Sequence, residues 1–245
     1  SSGLVGSEMC IRDSYIPLFN EEDGIEQLYL ELTKLTSELF NKCNVKIVLI
    51  DDGSEDNTLK FLYQYFSQPI FKIIEHKQNK NLGGFLKTAI NDCSFDYIAF
   101  LDSDCTYSPL LIDSMFEKSL EGYDIVNASP YHPEGEVVGV GKFRLFLSKS
   151  VNYIYRIISG KNFYTTSSIC KIYKTQVIKN LIITRSNFVG ITELFTKAVL
   201  TTNSIFEYPC QLSTRIYGVS KLNIYSNIFD HIRYILHYLI YKNAR

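Results

Sequence analysis

The chain has 245 residues, 46% of them hydrophobic and 21% charged, with a net charge of -1. That length suits one large globular domain or two small ones, and the near-neutral balance excludes a broad electrostatic pull toward nucleic acid. Six scattered cysteines without a Cys-x-x-Cys pair, and only four histidines, argue against a disulfide framework or a zinc site and fit a reducing cytoplasm.

Residues 1–13, SSGLVGSEMCIRD, have no clear period and do not join naturally to the apolar segment after them. They are read as non-native or disordered and set aside. Ser14 to Phe19 then reads as a strand end running into a turn at Pro17. Ile25, Leu28, Leu32, Leu35 and Leu39 recur at helical spacing between Asp23 and Phe40. Val45 to Ile50 is a continuous β-rich run closed by Asp51-Asp52-Gly53-Ser54, and Asp56 or Asn57 is placed to cap a helix over Thr58 to Phe66. Phe71 to Glu75 is a short strand, Asn81 to Gly84 a turn, and Phe85 to Asn91 a helix. Tyr97 to Leu101 is a buried strand that ends at Asp102. Short strands alternating with helices predict an α/β domain with a mostly parallel sheet and helices on both faces.

The second half is less regular. A helix is expected over Pro109 to Leu120, a strand over Asp124 to Ala128, a Pro- and Gly-rich loop over Tyr131 to Gly141, and a helix over Lys142 to Ser159. Phe163 to Tyr173 reads as extended, Glu193 to Leu200 as a helix, Ser204 to Leu212 as a strand, Arg215 to Lys221 as a polar loop and Asn223 to Tyr241 as a helix. No uninterrupted apolar run reaches the roughly 18 residues of a membrane-spanning helix.

The strongest chemical signal is Asp102-Ser103-Asp104 at the end of an apolar strand. Alternation along the strand lets both carboxylates face one side. Such a pair repels itself unless a cation sits between, and hard cations such as Mg2+ or Mn2+ favour oxygen ligands and bind substrate phosphates. The pair therefore predicts a site for a metal-bound diphosphate. In α/β sheets ligands bind outside the carboxyl ends of the strands, and two further polar clusters fall there: Pro17 to Glu22 and Asp51 to Thr58. Each alone is an ordinary turn, and Asp-Asp-Gly-Ser is as readily a helix cap as a ligand site. Together they describe a nucleotide-sugar site, in which Glu21, Asp51 or Asp52 accepts hydrogen bonds from ribose or base. Neither a P-loop nor a Gly-x-Gly-x-x-Gly turn is present.

The segments IPLFNEE, VLIDDGSEDNT, NKNLGGFLKTAI, FLDSDCTYSP and RIYGVSKLNI run from Ile16 to Ile224. In that order they resemble family 2 glycosyltransferases of the GT-A fold, and more narrowly the dolichyl-phosphate mannosyltransferase and polyprenyl-phosphate glycosyltransferase group. The resemblance implies a GT-A nucleotide-diphospho-sugar transferase domain over residues 14–222. It implies nucleotide contacts from Pro17, Phe19, Glu21, Asp51, Asp52 and Asp102, and a divalent metal, Mg2+ or Mn2+, on Asp102 and Asp104. It also assigns Arg215 and Lys221 to the phosphate-rich part of the site. The implied reaction is inverting transfer from GDP-mannose or a UDP-hexose to a polyprenyl or dolichyl phosphate. A lipid phosphate is already anionic, so it needs docking cations rather than a general base. Two departures leave the donor sugar open. Thr106 stands where mannose-using relatives often carry Gln, and Pro130 where they often carry Arg. Arg144 is a candidate for the missing charge, or else lies on a solvated helix face. Glu193 is either a base for a hydroxyl acceptor or a helix-start residue favoured by the dipole.

Residues 223–245 carry a broad apolar stripe (Ile228, Phe229, Ile232, Leu236, Leu239 and Ile240 among others) interrupted by His231, Arg233, His237 and Lys242. This reads as a helix lying in the membrane interface, as one packed on the domain, or as a stub before membrane-spanning helices. The expected setting is peripheral, at the cytoplasmic membrane face, with a separate membrane subunit as an expected partner. The competing readings are a same-fold transferase acting on a glycan hydroxyl and a catalytically silent nucleotide-binding module.

Overall fold

Apolar runs of about four residues form the middle of a sheet, because strands covered by helices on both faces need no polar side. The computed structural model describes residues 12–39, 45–215 and 224–243. Its strands are β1 (Arg12–Leu18), β2 (Val45–Asp51), β3 (Phe71–Glu75), β4 (Tyr97–Phe100), β5 (Ile125–Ser129), β6 (Glu136–Val137), β7 (Lys171–Lys174), β8 (Ile205–Pro209) and β9 (Gln211–Leu212). The helices are α1 (Ile25–Leu39), α2 (Thr58–Tyr65), α3 (Asn81–Asp92), α4 (Leu111–Leu120), α5 (Lys142–Ser159), α6 (Thr175–Ile178), α7 (Val189–Ala198) and α8 (Ile224–Asn243).

The seven-stranded sheet has the order β3-β2-β1-β4-β7-β5-β8, and a separate parallel pair joins β6 to β9. All pairings of the large sheet are parallel except those of β7, which runs antiparallel between β4 and β5. Alternation along β2 sends Ile47 and Leu49 into a core under α1, α2 and α4, with Leu28, Leu32, Leu62, Ile112 and Met115. Val48 and Ile50 go into the opposite core, with Phe85, Phe100, Leu194, Phe195, Tyr234 and Tyr238 from the side of α3, α7 and α8. The strand order reverses between β1 and β4, so a crevice opens outside their carboxyl ends. That crevice lies where Leu18 leads to Phe19–Glu21 and where Phe100 leads to Asp102–Asp104.

Several expected boundaries move. Asp13 pairs in register with Lys46 and is buried, so β1 begins inside the segment set aside as residues 1–13. β4 stops at Phe100, which leaves Asp102 and Asp104 on the loop beyond rather than on the strand. Asn81 to Gly84 is the first turn of α3, not a loop. Gly83 donates its N–H to Ser186 O at 2.7 Å, and a Cβ there would lie 2.0 Å from Arg185 O. Here glycine serves close packing of the helix on a second loop. Only the last three residues of the expected Phe163–Tyr173 extension join the sheet, as the start of β7, and the Ser204–Leu212 strand breaks at Cys210 into β8 and β9.

Candidate active site

Two turns at the ends of β1 and β2 interlock before any ligand is considered. Asp52 N–H donates to Leu18 O at 2.8 Å, Asn20 N–H to Ser54 Oγ at 2.9 Å, Glu21 N–H to Thr58 Oγ1 at 2.7 Å, and Glu55 N–H to Asn20 Oδ1 at 2.8 Å. Gly53 sits at φ +74°, with the backbone of Gln78 and Asn79 within 3 Å of where a Cβ would project. Only glycine meets both the left-handed conformation and that close approach.

The rim so formed opens on a cavity of about 690 Å3. Pro17, Phe19, Glu21 and Asp52 of the turns line it, as do Asp102, Ser103, Asp104, Thr106 and Arg215. Tyr131, Arg144, Leu147, Ser148 and Val151, with Ile228 and His231 of α8, complete its lining. Eight of the sequence-predicted residues therefore converge: Pro17, Phe19, Glu21, Asp52, Asp102, Asp104, Arg144 and Arg215. Asp51 does not line the cavity. It is buried and accepts from Ser54 N–H at 3.2 Å, so it shapes the turn. Lys221 lies outside the described residues.

Burial and the neighbouring Asp104 push the Asp102 carboxyl well above the usual carboxylate range, and Lys171 pulls it down only in part. Two acids held this way fit a hard dication with phosphate oxygens and water as its other ligands. Among the described residues no cluster of three or more His, Cys, Asp or Glu offers an all-protein cage. Arg215 forms an ion pair with Glu21, and its Nε lies 3.9 Å from Asp104 Oδ2. Beneath the pair, Lys171 is fully buried and donates to the carbonyls of Thr166 and Ser168. Burial pushes its ammonium down to about 7, although Cys170, Asp102 and Glu207 act in the opposite direction.

Glu193 does not line this cavity. It is fully buried and accepts from Thr184 N–H at 2.9 Å, Thr184 Oγ1 at 2.8 Å, Arg185 N–H at 2.7 Å and Lys197 Nζ at 2.6 Å. Burial alone would raise its carboxyl, but these donors outweigh it and hold the group below the usual range.

Residues 15–182 match glycosyl transferase family 2. The chain belongs to that family. Among its relatives, the dolichol-phosphate mannosyltransferase of Pyrococcus furiosus is 25% identical over 222 residues, covering 90% of this chain and 61% of that protein. The undecaprenyl-phosphate 4-deoxy-4-formamido-L-arabinose transferase of Yersinia enterocolitica is 27% identical over 180 residues, covering 72% of this chain and 53% of that one. The chain thus spans between about half and three-fifths of the length of these relatives. Glucosyl-3-phosphoglycerate synthase from Mycobacterium tuberculosis, solved with Mn2+, UDP-glucose and phosphoglyceric acid, has the same fold. It gives a TM-score of 0.67 at 17% identity, covering 94% of this chain and 78% of that chain. The family 2 chain therefore has the GT-A fold its motifs imply.

Sequence patterns miss His76, which immediately follows β3 and so stands on the same strand-end rim as the recognised clusters. Its Nδ1 lies 2.6 Å from Asp52 Oδ1 and its Nε2 2.8 Å from Thr88 Oγ1. Position at the end of a predicted strand is the available signal, but one histidine outside any motif carries little weight by itself.

Proposed function

We propose that this domain transfers a sugar, with inversion, from a nucleotide sugar such as GDP-mannose or a UDP-hexose to a polyprenyl or dolichyl phosphate, using Mg2+ or Mn2+. The observation that carries this reading is that one cavity gathers these residues. Its lining takes in the interlocked turns, the Asp102–Asp104 pair and residues of α5 and α8. Pro17, Phe19, Glu21 and Asp52 would hold the nucleoside. Asp102 and Asp104 would hold the dication, which when bound neutralises charge on the departing diphosphate. Arg144 and Arg215 are the cations of the described wall that would dock anionic phosphate, with Lys221 assigned beside them by resemblance.

In the proposed step an acceptor phosphate oxygen attacks the anomeric carbon. The bond to the nucleoside diphosphate breaks on the opposite side, and the diphosphate leaves with the electron pair. No proton need be removed from the acceptor. The state of the other acids on the wall agrees with that requirement. Glu21 is paired with Arg215, Asp52 with His76, and Asp230 accepts from Asn187 Nδ2 at 2.6 Å. A hydroxyl acceptor would want a carboxylate left free as base.

The α5 and α8 side of the cavity also suits a lipid. α5 exposes Phe143, Phe146, Tyr153 and Ile157, and α8 exposes Phe229, Ile232, Leu236 and Ile240. Among the described residues no helix is long and apolar enough to cross a membrane. We infer peripheral contact through this face, at the cytoplasmic leaflet. The direct test incubates radiolabelled UDP- and GDP-sugars with polyprenyl phosphate and Mn2+ or Mg2+, and scores organic-phase label. Label that requires the metal and falls at least a hundredfold in Asp104→Asn is expected. Label on a glycan hydroxyl, or turnover that survives Asp104→Asn, would overturn the assignment.

A further inference from the structure

We infer that His76 is a positioning residue that fixes the Asp52 carboxylate for recognition of the donor's nucleoside, an inference that rests on the nucleotide-sugar reading of the cavity. Three observations converge. Asp52 is 4% exposed and still lines the cavity, so little of it other than the ligand-facing edge is open. Its Oδ1 takes two partners, Lys80 N–H at 2.9 Å and His76 Nδ1 at 2.6 Å. With Oδ1 saturated, Oδ2 is the acceptor left to present to a base N–H or a ribose hydroxyl. Finally, His76 is itself 6% exposed and tied on its far side to Thr88 of α3. A charged hydrogen bond held at both ends in a buried setting loses less freedom when ligand arrives, which is the benefit of preorganisation.

The atom order Asp52–His76–Thr88 also matches the carboxylate, imidazole and hydroxyl of a nucleophile triad. Here the array faces the other way. Asp52 is on the cavity wall and Thr88 is not, so the hydroxyl is the buried anchor and the carboxylate the working end. The consequence is selective. Losing the imidazole should weaken nucleoside recognition and leave the diphosphate's hold on the metal pair largely alone.

The test measures binding of UDP, GDP and inorganic pyrophosphate in the presence of Mn2+ to the wild type and to His76→Phe, His76→Asn, Thr88→Val and Asp52→Asn. Phe keeps ring volume and removes both hydrogen bonds, whereas the Asn amide can replace Nδ1 as donor. For whichever nucleotide the wild type prefers, His76→Phe should weaken binding about tenfold, the scale of one lost hydrogen bond to a charged group. His76→Asn should stay within about threefold, and Thr88→Val should lose about threefold. Pyrophosphate affinity should change less than twofold throughout, which a general loss of folding would not reproduce. In turnover, the rise in donor KM should exceed the fall in kcat. If Asp52→Asn loses nucleotide binding but His76→Phe does not, the positioning role is overturned while the site stands. If neither UDP nor GDP binds the wild type, or Asp52→Asn binds normally, the nucleotide reading itself fails and takes this inference with it.

Discussion

At Glu193 a carboxylate and the Lys197 ammonium share a site with almost no solvent, their side chains 0% and 4% exposed. The oxygens are further occupied by Thr184 and Arg185. Removing one partner of such a pair leaves the other as an uncompensated buried charge, which costs about 3–5 kcal/mol, whereas a general base contributes about 10²–10⁴ in rate. The two roles therefore separate cleanly in Glu193→Gln. The substitution should lower stability by about 3 kcal/mol in denaturant unfolding. Assayed where it is still folded, its kcat should stay within a few-fold of wild type. A fall in kcat of a hundredfold with unchanged stability would restore Glu193 as a base and favour a hydroxyl acceptor.

Elements differ in how much of them sequence can specify. β2 and β4 are legible because a strand buried on both faces is an unbroken apolar run, and the acids that end them mark the ligand rim. The first turn of α3 is not, because Asn-Leu-Gly-Gly has the chemistry of a loop. Only the Arg185–Ser186 backbone pressed against Gly83 explains why glycine sits in a helix. β7 is hidden for a similar reason: nothing local says that four residues enter a parallel sheet backwards between β4 and β5. α8 resolves into two faces. His231, Tyr234 and Tyr238 turn inward, with His231 Nδ1 3.0 Å from the Tyr155 hydroxyl of α5, while Phe229 and Leu236 turn outward. Burial pushes the His231 imidazole down to about 4, against a weaker opposite pull from Asp230. The unfolded chain protonates near 6.5. Between those values the unfolded state binds a proton that the folded state refuses, so stability falls as pH drops from about 6.5 to 4 and is unaffected by this group above that window. The loss approaches roughly 3 kcal/mol at the acid end. Guanidinium unfolding across this range should show a slope for the wild type that is reduced in His231→Gln. Identical slopes would mean that the α5–α8 seam does not exclude the proton.

Across the whole molecule, charge and apolar surface are distributed together. α5 carries Lys142, Arg144, Lys149 and Arg156 and no acid, and α8 carries Arg233 and Lys242 against Asp230. The two helices hold a net charge of about +5 in a chain whose total is -1, so the remainder is acidic by about six charges. These are also the helices whose outer faces expose Phe143, Phe146 and Phe229 at 73%, 66% and 67%. Basic side chains interleaved with exposed aromatics suit an anionic bilayer, where each buried aromatic contributes about 1.5–3 kcal/mol and each cation about 1 kcal/mol near the surface. Under the proposed lipid-phosphate reading the orientation follows from topology, since the same two helices contribute to the cavity lining and a lipid-borne phosphate could reach it without leaving the surface. Sedimentation with vesicles should show binding to phosphatidylglycerol-containing bilayers that weakens with salt and exceeds binding to phosphatidylcholine. Replacing Phe143, Phe146 and Phe229 together by Ser should reduce that binding at least tenfold while Mn2+-dependent nucleotide binding persists, because none of the three lines the cavity. Equal binding to neutral and anionic vesicles would remove the electrostatic half of this account. Retention of full binding by the triple variant would move the contact surface off α5 and α8 altogether, and the exposed apolar residues of these two helices would then need another explanation.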